Sequence, residues 1–118
     1  MYAKPVVQNN QSNRSNKGDK IEVYINKFVI DNKLFVNICD KELYGKKLST
    51  ANGEIVVAEP FYGGDLVDVD TALKIASEAF SVNLLGERIV NEAIRKGLIH
   101  EKAVIKINNI PYAILISS

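Results

Sequence analysis

Residues 61–99 read FYGGDLVDVDTALKIASEAFSVNLLGERIVNEAIRKGLI, and this stretch decides how the chain folds. Its Gly63-Gly64 pair marks a loop, because glycine enters positive φ without steric cost. Asp68 or Asp70 can start a helix by accepting a hydrogen bond from an unpaired backbone N–H. Val69, Ala72, Leu73, Ala76, Ala79 and Phe80 then share one face, which predicts a helix to about Phe80. A second stripe, Val82, Leu85, Ile89, Ala93 and Ile94, predicts another helix from roughly Val82 to Lys96, with Ser81 or Asn83 at its start. Arg95 and Lys96 sit where the helix dipole favours cations, and Gly97 supplies a left-handed stop. This reading places Gly86 inside a helix, at a cost of roughly 1 kcal/mol against alanine. Such a cost is reasonable where the helix passes close to another backbone or to an RNA strand.

Upstream, Ile21 to Ile30 (IEVYINKFVI) alternates apolar and polar residues at first, as a strand does, and breaks the pattern at Phe28-Val29-Ile30, which suggests a bulge or burial of both faces near its end. Asp31-Asn32-Lys33 is a tight turn, and Leu34 to Cys39 returns as a second strand. Asp40 to Gly45 reads as a short helical turn. Lys46 to Ser49 forms a brief edge strand, Asn52-Gly53 a hairpin turn, and Glu54 to Glu59 a strand that Pro60 ends. Downstream, Ala103 to Ile107 and Tyr112 to Ile116 are strands joined by a turn at residues 108–111. Hairpins, two helices and a closing hairpin predict an α+β fold: a two-layer sandwich whose mostly antiparallel sheet is covered on one face by two helices. The folded domain spans residues 21–118, and an extended arm, residues 1–20, precedes it.

The 118 residues suit one domain, and 47% hydrophobic with 25% charged residues is the balance of a globular protein. Cys39 and His100 are the sole cysteine and histidine, so an internal disulfide or a cysteine metal cage is excluded. Neither a membrane-length apolar run nor the apolar centre of a signal peptide is present, and the expected location is the cytoplasm. The net charge of +1 hides an asymmetry. Lys4, Arg14, Lys17 and Lys20 against Asp19 give the arm +3, leaving 11 basic and 13 acidic residues, a net −2, on the remainder. An Asn-, Gln- and Ser-rich cationic segment has little to bury, so alone in water it is expected to be disordered. It is either a solubilising extension or an arm that neutralises nucleic-acid phosphates.

Phe61-Tyr62-Gly63-Gly64-Asp65-Leu66-Val67-Asp68, Asn83-Leu84-Leu85-Gly86-Glu87-Arg88-Ile89-Val90, Ala93-Ile94, Gly97-Leu98-Ile99-His100 and Ala103-Val104 resemble, in that order, a family of small archaeal proteins known as domain-of-unknown-function family number 424. The resemblance covers about residues 21 to 116 and implies a two-layer α/β sandwich. The arm departs from it, since typical members begin near the first strand. The resemblance brings no activity and implies only a loose association with archaeal translation genes.

Catalytic machinery is not expected. Cys39 ends an apolar strand and suits a core position. His100 follows a helix, where capping explains it. Asp65, Asp68 and Asp70 have the chemistry for a hard cation or acid/base work, but capping accounts for at least one. The Phe61-Tyr62-Gly63-Gly64-Asp65 loop is a candidate ligand or partner site, although it lacks the glycine-rich phosphate-binding patterns and reads first as a strand-to-helix bend whose aromatics plug the core. No cofactor and no metal is expected. The favoured reading is a non-enzymatic, ribosome-associated RNA-binding protein of the archaeal translation apparatus. Its RNA contacts would be Lys4, Arg14, Lys17 and Lys20 of the arm with Lys46, Lys47, Arg88, Arg95 and Lys96 of the body, and Tyr2, Tyr24, Phe61 and Tyr62 are possible base-stacking surfaces. Expected partners are ribosomal RNA and ribosomal proteins, the small subunit foremost, with neither membrane nor DNA. The alternatives are a small enzyme or ligand-binding domain using the Phe61 to Asp70 loop, marked by a pocket converging on Tyr62, Asp65, Arg88 and His100, and a protein-interaction module.

Overall fold

The structure, a computed structural model, describes residues 21–117; the arm lies outside them. In chain order the elements are β1 (Glu22–Ile30), β2 (Lys33–Asp40), β3 (Lys47–Thr50), β4 (Gly53–Val56), β5 (Asp65–Asp68), α1 (Val69–Ala76), β6 (Ser81–Leu85), α2 (Glu87–Arg95), β7 (Ile105–Ile107) and β8 (Ile110–Ile116). Single 3-10 turns occupy Lys41–Leu43 and Glu101–Ala103. Two hairpins turn on residues that tolerate positive φ: Asp31 (52°) and Asn32 (64°) between β1 and β2, Asn108 (55°) and Asn109 (66°) between β7 and β8.

Six strands form one sheet in the order β5-β1-β2-β6-β8-β7, antiparallel throughout except between β2 and β6. The fold is α+β, with both helices on one face of this sheet. Because successive strand residues point to opposite faces, register sorts the side chains. Val23 and Ile25 of β1, Val36 and Ile38 of β2, and Val82 and Leu84 of β6 point to the helices. There they meet Leu73 of α1 and Ile89 and Val90 of α2 in the main core. Burying each such aliphatic side chain contributes roughly 1.5–3 kcal/mol.

Residues 81–85 overturn the helix expected from Val82. α1 stops at Ala76, and SVNLL runs as β6 through the middle of the sheet, parallel to β2. Val82 and Leu85 are buried as expected, but on opposite sides of a strand: Val82 in the main core and Leu85 in a second core on the other face. A strand covered on both sides needs apolar residues on both, and so loses its alternation. Val82, Leu85 and Ile89 share helical spacing only by coincidence. Gly86 is not inside a helix; at φ 126° it turns β6 into α2.

Smaller corrections follow from pairing. The strand expected over Glu54 to Glu59 is β4, which ends at Val56, and its hairpin turns on Ala51-Asn52 with Gly53 already paired to Thr50. Lys46 precedes β3. β7 begins two residues later than expected, at Ile105, and β8 two earlier, at Ile110.

Asp68 caps α1 by accepting from the Thr71 N–H at 2.8 Å. α2 begins at a glycine and takes its cap from elsewhere: Asp40, at the end of β2, accepts from the N–H groups of Arg88 (2.8 Å) and Ile89 (2.9 Å). At its other end Leu98 N–H donates to Ala93 and Gly97 N–H to Ile94, with Gly97 at φ 76°. This is the glycine stop that the sequence predicts.

Candidate binding cleft

The face of the sheet away from the helices carries the β3–β4 hairpin and the loop after it. Leu48 of β3, Val57 and Tyr62 of the loop, Cys39 of β2 and Leu85 of β6 form the second core there. Beside this core a cleft of about 280 Å³ opens between hairpin, loop and sheet.

Its floor is built by register. Asn26, Asn37 and Asn83 stand side by side on β1, β2 and β6, all on this face. Asn83 Nδ2 donates to Asn37 Oδ1 at 2.8 Å, and the Tyr112 hydroxyl of β8 donates to Asn83 Oδ1 at 2.9 Å. Asn37 Nδ2 donates to the Phe61 carbonyl at 2.9 Å and Asn26 Nδ2 to the Pro60 carbonyl at 2.6 Å. The ladder thus ties the Pro60-Phe61 segment to the sheet. Among the described residues Asn37 and Asn83 each use one of two amide hydrogens and one of two oxygen lone pairs, leaving one of each.

Gly64 explains why the loop can lie flat. At φ 76° its α-carbon presses against the Ile25 carbonyl of β1, where a Cβ would collide with backbone. The walls above the floor are apolar: Leu48, Ile55 and Val56 from the hairpin and Ile107 from β7, with Phe61, 62% exposed, at the rim.

Among the described residues, all that line this cleft are uncharged. Burial raises the Tyr112 hydroxyl above its ordinary range. Tyr62 is also raised, by burial first and then by neighbouring Tyr112 and Cys39. Both phenols are therefore neutral hydrogen-bonding groups at physiological pH. Cys39 is wholly buried, and burial, followed by the nearby Asp40 charge, pushes its thiol up to about 12. A thiol held protonated in this way is a packing group rather than a nucleophile.

Of the residues singled out from sequence, Phe61 and Tyr62 reach the cleft, and Gly63 and Gly64 shape the loop behind them. Asp65 opens β5 opposite Ile25, away from the cleft. Of the four side chains whose convergence would mark an enzyme or ligand-binding domain, the cleft includes Tyr62 and not Asp65, Arg88 or His100. His100 Nδ1 accepts from the Lys102 N–H at 3.1 Å and caps a 3-10 turn. Arg88 pairs with Glu42 (2.7 Å), Arg95 with Glu92 (2.7 Å) and Lys96 with Asp70 (3.1 Å). The Arg95 hydrogen bond holds Glu92 below the usual carboxylate range. Lys46 and Lys47 are exposed and, among the described residues, make no ion pair. Tyr24 lies against Tyr44, ring centroids 4.8 Å apart. Tyr2, Lys4, Arg14, Lys17 and Lys20 lie outside the described residues.

Sequence reasoning missed Asn37, Asn83 and Tyr112. The available signal was an amide in the middle of each of two apolar strands, LFVNIC and SVNLL, since a polar group so placed needs a partner. Among the described residues no three His, Cys, Asp or Glu side chains gather as a metal site, and no helix is long and apolar enough to cross a membrane.

The profile of a family described as "Protein of unknown function (DUF424)" matches residues 28–117, from the last residues of β1 through β8. The chain belongs to the DUF424 family. A crystal structure of an uncharacterized conserved protein from Methanopyrus kandleri superimposes on this DUF424 chain with a TM-score of 0.70, at 24% identity, covering 80% of this chain and 90% of that one. The likeness shows the fold. No curated protein matches the sequence.

Proposed function

We propose that this DUF424 protein is a non-enzymatic, cytoplasmic RNA-binding protein of the archaeal translation apparatus, held on ribosomal RNA by cations of its arm and of the β3–β4 hairpin. The observation that carries the proposal is the contrast among its body cations. Arg88, Arg95 and Lys96 are each matched by a carboxylate, whereas Lys46 and Lys47, like Lys27, Lys74, Lys102 and Lys106, stand exposed without one among the described residues. Lys46 and Lys47 are adjacent, where the chain enters the hairpin whose Leu48, Ile55 and Val56 line the cleft. Unmatched lysines are available to phosphates, and displaced counterions make such binding weaken steeply with salt. Arg14, Lys17, Lys20 and Lys4 add the arm's charge to the same polyanion. The cleft itself offers neutral amides and phenols in place of a base–nucleophile pair, which suits recognition better than catalysis.

Co-sedimentation with ribosomes tests this. The full chain is expected in the ribosomal pellet at low salt and in the supernatant at moderate salt, with removal of residues 1–20 or Lys46→Ala/Lys47→Ala lowering the bound fraction. Equal pelleting of all variants at both salts contradicts it.

A further inference from the structure

Resting on the RNA reading above, we infer that the cleft floored by Asn37, Asn83 and Tyr112 receives one unstacked nucleobase. Three features of the cleft specify that chemistry. Its lining, among the described residues, is uncharged and mostly apolar, so it favours a neutral ligand over a phosphate or an amino-acid zwitterion. Its floor presents two adjacent primary amides, each with one N–H and one oxygen lone pair without a partner among the described residues. A paired donor and acceptor of this kind complements the alternating donor–acceptor edge of a base, which is how asparagine reads adenine. Finally, Phe61 stands 62% exposed at the rim, tied through its carbonyl to Asn37. A large aromatic surface held in water beside hydrogen-bonding groups is the arrangement on which bases stack.

The amide ladder also pre-sets the site. Asn37 and Asn83 fix one another's orientation, and Tyr112 fixes Asn83, so the open donors and acceptors are aligned before a ligand arrives. Lys46 and Lys47 precede Leu48, which lines the cleft, and on this reading they meet the phosphates flanking an inserted base. A free nucleoside offers the same base edge without those phosphates, and the two sources are separable by experiment.

Two-dimensional amide NMR on the full chain, following the side-chain NH2 groups of Asn37 and Asn83, reads the site directly. Adenosine, guanosine, cytidine and uridine are titrated separately, then a single-stranded RNA hexamer and an abasic oligomer with the same phosphates. The expected result is that at least one nucleoside and the hexamer shift both side-chain amides. The abasic oligomer leaves them unmoved and binds about fivefold or more weakly than the hexamer. Phe61→Ala, at an exposed position that leaves folding intact, weakens the hexamer by a similar factor. Lys46→Ala/Lys47→Ala weakens the hexamer and leaves the nucleoside shifts unchanged. Equal binding of hexamer and abasic oligomer with silent Asn37 and Asn83 amides overturns the nucleobase site while the RNA reading stands. Nucleoside shifts without any hexamer binding overturn the RNA reading and uphold the base site for a free nucleoside.

Discussion

The carboxylate of Asp40 fills the space that a side chain at Gly86 would occupy. These two residues, 46 positions apart in sequence, form one device. The glycine bends β6 into α2 at φ 126°, and the aspartate from β2 enters the gap and binds the first free N–H groups of the helix. Gly86→Ala therefore meets both an unfavourable backbone region and a collision with a buried carboxylate. The expected loss is about 3 kcal/mol in urea denaturation. A change below about 0.5 kcal/mol contradicts the geometry.

Asp40 also predicts a pH dependence. Burial raises its pKa above the ordinary aspartate range, outweighing the two backbone hydrogen bonds that lower it. The folded protein then keeps this proton to a higher pH than the unfolded chain does. Between those two pKa values the native state binds more protons, so this group's contribution to stability falls as pH rises above the ordinary aspartate value. Asp40→Asn removes the titration. Denaturation curves of variant and parent, measured from about pH 4 to pH 7, should differ by an amount that grows in the variant's favour with pH, whatever the offset from the altered cap. A constant difference contradicts the assignment.

Cys39 is expected to resist thiol reagents in the native state at about pH 8 and to react fully in denaturant, because its thiol remains protonated and out of solvent. The same shift lowers stability as pH climbs past the ordinary thiol range, where only the unfolded chain releases the proton. Rapid labelling of the folded protein contradicts the burial.

Much of the fold is legible because local chemistry and final structure agree. Ile21 to Cys39 reads as a hairpin since the alternation of its first residues and its Asp31-Asn32 turn both survive into β1 and β2. Phe28 to Ile30 carry neither a bulge nor burial of both faces: they pair with β2 in unbroken register, with Val29 and Ile30 exposed. Gly97 and Asp68 end and begin helices as their backbone and capping chemistry predicts. β6 is hidden because burial on both faces erases the period that marks a strand, while Val82, Leu85 and Ile89 happen to satisfy the helical one. The cleft is less legible still. Asn37 and Asn83 lie 46 residues apart, and only the parallel pairing of β2 with β6 brings their amides together. Phe61 and Tyr62 stand out in the sequence through the loop's aromatics and glycines, and the amides of Asn26 and Asn37 hold that loop. Arg88, Arg95 and Lys96 read as candidate phosphate contacts, and the carboxylate that each pairs with is visible only in the structure.

The central claim is most directly tested by the salt dependence of binding to single-stranded RNA. Contacts from Lys4, Arg14, Lys17, Lys20, Lys46 and Lys47 predict a slope of about −4 in log affinity against log salt, and removing residues 1–20 brings it to about −1.4. Lys46→Ala/Lys47→Ala in the full chain takes it to about −2.8. A slope near zero for the full chain, or one that none of these changes alters, contradicts the RNA-binding account.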